Sequence, residues 1–149
     1  MRLYTTPAAR AALGVLEAFE TGEPERVRDL VTADFVDHGA PPGLPSGPGG
    51  YIAVLRFLID VMRIRYEVHD VVSAGDLVAI RATAHGVHAT DHLGVPATGK
   101  PYVMHTMHLY RAEGDRLAEH WGVRDEHSVL VQVGVLPAPV LPPALAALR

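Results

Sequence analysis

The sequence predicts an α+β fold, with helices leading and an antiparallel sheet following, on three observations. Apolar residues recur at helical spacing as far as Met62, and the period changes to two after Ile64. The second half then turns back on itself at Gly75-Asp76 and at Glu113-Gly114-Asp115. Helices first and a meander afterwards point away from alternating βαβ units and a parallel sheet. At 149 residues, with 48% hydrophobic and 20% charged residues, the chain suits one domain spanning 1–149 with a sizeable core.

The first helix is expected over residues 7–21. Thr6 is placed to cap it, Pro7 suits its first position, and Leu13, Leu16 and Phe19 form its apolar stripe before Gly22 ends it. A second short helix is expected from Pro24, carrying Val27, Leu30 and Val31, and a brief strand over 34–39. Residues 40–50 hold four Pro and four Gly and read as a loop, a candidate lid. A third helix is expected over 49–62, with Leu55, Leu58 and Ile59 on its apolar face. Strands follow at 65–72, 77–84, 102–111 and 116–123, and residues 137–149 form a Pro- and Ala-rich tail.

Composition removes whole classes of function. A net charge of −4, with 13 Lys and Arg scattered along the chain, leaves no basic stripe for nucleic acid or an anionic membrane. The absence of cysteine excludes disulfides, thiolate catalysis and Cys-ligated zinc. No apolar run approaches the roughly 20 residues of a membrane span, and the N-terminal stretch lacks a cleavage pattern. The expected protein is soluble and cytoplasmic. No nucleophile elbow surrounds Ser46, Ser73 or Ser128, and Gly47-Pro48-Gly49-Gly50 lacks the Gly-Lys-Ser/Thr of a phosphate loop.

Nine histidines are the chemical anomaly. Alternation puts Tyr102, Met104, Thr106, His108 and Tyr110 on one face of their strand, and His105, Met107 and Leu109 on the other. On the partner strand His120, Gly122 and Arg124 share a face opposite to Glu119, Trp121, Val123 and Asp125. A turn centred on Gly114 sets His108 across from His120, at about 5 Å between Cβ atoms, with Gly122 leaving room beside them. A metal would need a third ligand, for which Asp37 or His38 is nearest by type; no HExxH or comparable cluster is present, so no metal is expected. His88, Asp91 and His92 fall in a hairpin loop and read as a solvated turn.

Four ordered segments carry a resemblance: Asp34-Phe35-Val36-Asp37-His38; the Gly47–Tyr51 entry into a helix; Gly94-Val95-Pro96-Ala97-Thr98-Gly99; and Glu119-His120-Trp121-Gly122-Val123-Arg124-Asp125. From about residue 8 to Gly134 the chain resembles the SnoaL-like polyketide cyclases, or ester cyclases, of the NTF2-like superfamily. The resemblance implies a cone-shaped α+β barrel, with a strongly bent, mostly antiparallel sheet wrapped by helices around a deep apolar cavity. It implies ring closure of a polyketide by cofactor-free aldol condensation. The two cavity histidines of such cyclases correspond to His108 and His120, and an asparagine near the first strand corresponds to Asp37. Their acid/base aspartate, two residues after the second histidine, is Gly122 here, a departure from the family pattern.

On this reading His120 is the general acid or base, His108 the oxyanion donor, and Asp37 orients an imidazole or acts as acid/base itself. An imidazole with a pKa near 6.5 can serve either role at neutral pH. His38, Tyr51, Tyr102, Thr106, Trp121 and Arg124 are the expected substrate contacts, Trp121 equally as core packing. The expected partners are a small apolar organic substrate and a second copy of the chain, with no cofactor, nucleic acid or membrane. Two other readings remain open: epoxide opening through Asp37, and a pocket that binds without turnover.

Overall fold

The structure, a computed structural model, describes residues 6–92 and 94–148; Arg149, at the end of the expected tail, lies outside them. Helix α1 spans Pro7–Thr21. Its first turn is closed by Thr6, whose Oγ1 accepts from the Ala9 N–H at 3.1 Å, and its end by Gly22 in the left-handed region. Leu16 and Phe19 are buried as expected, whereas Leu13 only borders the core. The rest of the buried face is Val15 and alanines at positions 8, 9, 11, 12 and 18.

The expected second helix is a 3₁₀ turn, Pro24–Asp29, and Val31 already opens strand β1, Val31–Asp37. Val31 pairs with Leu117 and its side chain is fully buried, so sheet pairing claims a residue that the helical reading had counted. Helix α2 runs from Gly47 to Asp60. A Cβ on Gly50 would lie 1.8 Å from the Pro45 carbonyl oxygen. The Pro-rich loop therefore crosses directly over the helix start, and Tyr51 faces inward against Phe35, with ring centroids 4.6 Å apart.

Strands β2 (Arg65–Ala74), β3 (Leu77–Val87), β4 (Pro101–Glu113) and β5 (Arg116–Arg124) form an antiparallel meander. Strand β1 adds in parallel to β5, giving one curved sheet in the order β1-β5-β4-β3-β2 that does not close into a complete barrel. Helix α1 packs across the inner face of this sheet, and α2 against β1. Helix α3, Glu126–Gln132, which the sequence reading did not anticipate, is capped by Asp125, whose Oδ1 accepts from the Ser128 N–H at 3.0 Å. A short α4, Pro143–Ala146, lies in the exposed tail. No described helix is long and apolar enough to cross a membrane.

The β4–β5 register differs from the expected one by two residues. Glu113 pairs with Arg116 across a two-residue turn, and a bulge at Ala118 follows, so Arg111 pairs with Glu119 while Ala112 pairs with Leu117. His108 therefore faces Gly122, and Tyr110 faces His120. The bulge decides which residues face inward. Without it the tight turn alone would pair His108 with Trp121 and turn His120 and Arg124 to the outside.

Candidate active site

Four strands bring their side chains to one inner wall. Asp37 ends β1, His120 and Arg124 come from β5, His108, Thr106 and Tyr110 from β4, and Tyr66 from β2, while Tyr51 closes over them from α2. His108 and His120 are each 3% exposed, and the Asp37 side chain is 6% exposed. The two imidazoles are diagonal neighbours, nearly parallel, with centroids 5.3 Å apart. Tyr110 stacks on His120 at 4.6 Å.

These groups form one continuous hydrogen-bond chain. Asp37 Oδ1 meets His120 Nδ1 at 2.9 Å, His120 Nε2 meets His108 Nδ1 at 3.0 Å, and His108 Nε2 meets Thr106 Oγ1 at 3.1 Å. The Thr106 hydroxyl donates onward to the Ala82 carbonyl at 3.0 Å. That last bond fixes the direction of the others. Thr106 has spent its only proton on Ala82, so it accepts from His108 Nε2–H. A neutral His108 then presents a bare Nδ1, which accepts from His120 Nε2–H. A third proton lies between His120 Nδ1 and Asp37.

The Asp37 carboxyl is the acceptor in that bond, because its surroundings favour the ionised form. Burial pushes the Asp37 carboxyl up, but the hydrogen bond and charge of His120, the Gly39 N–H at 3.0 Å and the Arg124 charge together hold it below its ordinary value. Burial, followed by the charges of His120 and Arg124, pushes His108 down to about 3, which keeps it neutral. Burial raises Tyr51, Tyr110 and Tyr66, the last to about 12 against the opposing Arg124 charge. All three phenols therefore stay protonated. Every ring nitrogen of the two histidines is engaged, and both bonds to Asp37 fall on Oδ1. Asp37 Oδ2 has no hydrogen-bond partner among the described residues.

Three spaces adjoin these groups, one of them, of about 130 Å³, under the Pro-rich loop against Phe35, Asp37 and Tyr51. A cavity of about 330 Å³ is walled by Val54, Phe57, Leu58, Met62, Ile64, Met104 and Val129, with Tyr102, His88, His92 and Glu126 as polar neighbours. A compartment of about 20 Å³, room for roughly one water-sized group, is lined by Asp37, Tyr51, Tyr110, His108 and His120. Tyr66 and Arg124 line both. Tyr102 reaches its place because Gly86 faces it across the sheet, where a Cβ would lie 2.7 Å from the phenol.

Of the residues expected at the site, Asp37, His108, His120, Tyr51, Tyr102 and Arg124 line one compartment or the other. Thr106 stands behind His108 and supports it. His38 and Trp121 require correction. They stack on each other at 4.7 Å on the opposite side of the sheet edge, where His38 also meets Glu119 Oε1 at 3.1 Å. Alternation along β5 sends Trp121 outward once His120 points in, and His38 follows the inward Asp37. The metal ligand set weighed for His108, His120 and Asp37 or His38 does not assemble, because the first three bond to one another and His38 lies outside. Among the described residues no three His, Asp or Glu side chains are arranged so that they could hold a metal ion.

The solvated-turn reading of His88, Asp91 and His92 also needs correction at its first residue. His88 is 2% exposed, with Nδ1 accepting from the Thr98 N–H at 3.2 Å, which ties down the β3–β4 loop. Asp91 remains exposed and accepts from the Ala97 N–H at 3.0 Å. Tyr66 and Tyr110 are site residues that no sequence motif marks, although alternation places Tyr110 on the face of His108.

The family described as SnoaL-like polyketide cyclase matches residues 9–133. The chain belongs to that family. The aklanonic acid methyl ester cyclase DnrD of Streptomyces peucetius is 24% identical, over 71% of this chain and 76% of its own. IdmH of Streptomyces antibioticus is 35% identical over 86% of this chain and 99% of its own, with a TM-score of 0.71. TsrD of Streptomyces laurentii reaches a TM-score of 0.78 at 22% identity, covering 91% of this chain and 100% of its own, a likeness of fold. The α+β architecture expected from the resemblance is thus the architecture of the SnoaL-like cyclases, with a sheet left open.

The buried neutral His108 predicts a pH dependence of stability. Below pH 6.5 the unfolded chain takes up a proton on this imidazole that the folded chain refuses until about pH 3. The unfolded state binds more protons, so stability present above pH 6.5 falls as pH drops through that window. Urea unfolding between pH 7 and pH 4 is expected to show this decline, with a shallower slope in His108→Gln. An equal slope in the variant would assign the decline to other groups.

Proposed function

We propose that this SnoaL-like chain catalyses a cofactor-independent ring closure by acid–base chemistry, on an apolar polyketide-type substrate held in the 330 Å³ cavity. The observation that carries the reading is Asp37, which lines the small compartment with Oδ1 tied to His120 and Gly39 and with Oδ2 free of hydrogen bonds among the described residues. On this reading Asp37 removes a proton from a carbon next to a substrate carbonyl. The resulting enolate carbon bonds to a second carbonyl carbon of the same molecule, and the proton returns to the new alkoxide oxygen. Atoms and charge balance without a co-reactant. A carbonyl oxygen is about what the 20 Å³ compartment admits, and on this reading the protonated phenols of Tyr51 and Tyr66, which line it, donate to its growing charge.

His120 and His108 act in this scheme through Asp37 instead of directly on substrate. His120 balances the carboxylate charge, and His108, backed by Thr106, holds His120 in place. The names of DnrD and its counterpart DauD from Streptomyces make aklanonic acid methyl ester the first compound to try. With a turned-over substrate, Asp37→Asn is expected to lower kcat by about 10²–10⁴-fold while substrate binding persists. Wild-type kcat in that variant would remove the proposal.

A homodimer joined through the outer sheet face is the proposed working form. Val72, Ala79, Leu109 and Trp121 form one row across β2, β3, β4 and β5, and Met107 and Val123 form the next pair. Val72 is 64% and Val123 72% exposed, and the ion pairs Arg81–Asp70 and Arg111–Glu119 rim the strip, so a second copy can match charge to charge around an apolar centre. Light scattering at micromolar concentration is expected to give twice the chain mass, and the chain mass for Val123→Lys. A monomeric wild type would contradict the assembly.

A further inference from the structure

Arg124 is a half-buried cation at the cavity, and its surroundings leave its guanidinium available. It ends β5 opposite Thr106 and lines both the large cavity and the small compartment. Two glycines make room for its guanidinium. A Cβ on Gly122 would lie 3.2 Å from one terminal nitrogen, and a Cβ on Gly39 would lie 3.5 Å from the other. Arg28, Arg56, Arg81 and Arg111 each meet a carboxylate at the surface. Arg124 has no carboxylate within 4.0 Å among the described residues. The Tyr66 phenol and the Asp37 carboxylate both sense its charge.

A guanidinium offers five donors in a planar fork suited to two oxygens at once. The cavity beside it is walled mainly by Val54, Leu58, Met62 and Met104, so a charge there is poorly screened and acts strongly on whatever enters. Glu126 lines the same cavity and would repel an anion near itself, which leaves the Arg124 end as the place for negative charge. His88 and His92 also line this cavity. The combination selects a ligand with an apolar ring body and one delocalised oxyanion at its inner end.

We propose that the cavity takes its ligand as an anion, with a carboxylate or 1,3-dicarbonyl enolate oxygen pair on Arg124 and the ring system against the apolar wall. This rests on the cavity being the substrate site, and it narrows the substrate to molecules carrying an acidic oxygen group. Arg124 then holds the substrate with its reacting carbonyl at the mouth of the Asp37 compartment.

The test is fluorescence titration of the full chain with anthracene-2-carboxylate and with its neutral methyl ester. A second arm uses 2-acetyl-1-tetralone, an ionisable 1,3-diketone, against 1-tetralone, read by displacement of the bound anthracene probe. Wild type is expected to prefer the carboxylate over its ester by at least about tenfold, the size of one charge-assisted contact. Arg124→Gln is expected to bring the two within twofold by weakening the acid alone, and Arg124→Lys to keep part of the preference. Unchanged ester affinity in the variants shows that the cavity is intact. A preference in the diketone arm extends the oxyanion to enolates, and its absence restricts it to carboxylates. Equal binding of acid and ester by wild type, or a preference surviving in Arg124→Gln, overturns the role of Arg124 and leaves the cavity as a ligand site. Failure of every probe to bind overturns the cavity reading and this inference together.

Discussion

The hydrogen-bond chain from Asp37 through His120, His108 and Thr106 to the Ala82 carbonyl is the constraint on which the interior depends. It runs from β1 through β5 and β4 to β3, crossing four of the five strands on their inner face. In a buried setting each of these polar groups would be costly if left without a partner. The chain satisfies them in a single line, anchored at one end by a backbone carbonyl and at the other by a carboxylate. The anchored end removes freedom of tautomer from His108, and through it from His120. What is left over is one oxygen of a carboxylate that lines the small compartment.

That chain exists only because of a local irregularity. The bulge at Ala118 offsets a tight turn that would otherwise have put His120 and Arg124 on the outer face. Alternation in the sequence placed His108, Tyr110, His120 and Arg124 on the correct side, because it assumed a turn centred on Gly114. The actual register differs by two residues, and the even shift preserves the face while changing the partners. Bulges have no clear signature in a single sequence. The His108–His120 contact was legible, but its diagonal geometry was not.

Other elements divide along similar lines. The start and end of α1 were legible in Thr6, Pro7 and Gly22, since caps are local chemistry. Val31 was not, since its role is set by Leu117, far along the chain. His38 and Trp121 drew attention as polar and aromatic neighbours of the true site residues, yet strand alternation carries each to the outside. His88 reads as a loop residue, and only the folded position of Thr98 explains its burial. Asp125, which alternation sets on the face opposite His120, caps α3. At Gly122 the absent side chain leaves space that the Arg124 guanidinium approaches.

The account predicts a definite distribution of protons, and ¹⁵N NMR of histidine-labelled protein at neutral pH reads it directly. His120 is expected to show both ring nitrogens protonated, and His108 a proton on Nε2 alone, as the bond from Thr106 to Ala82 requires. A single ring proton on His120, or a His108 protonated on Nδ1, would contradict the chain and with it the ionised Asp37 at its end.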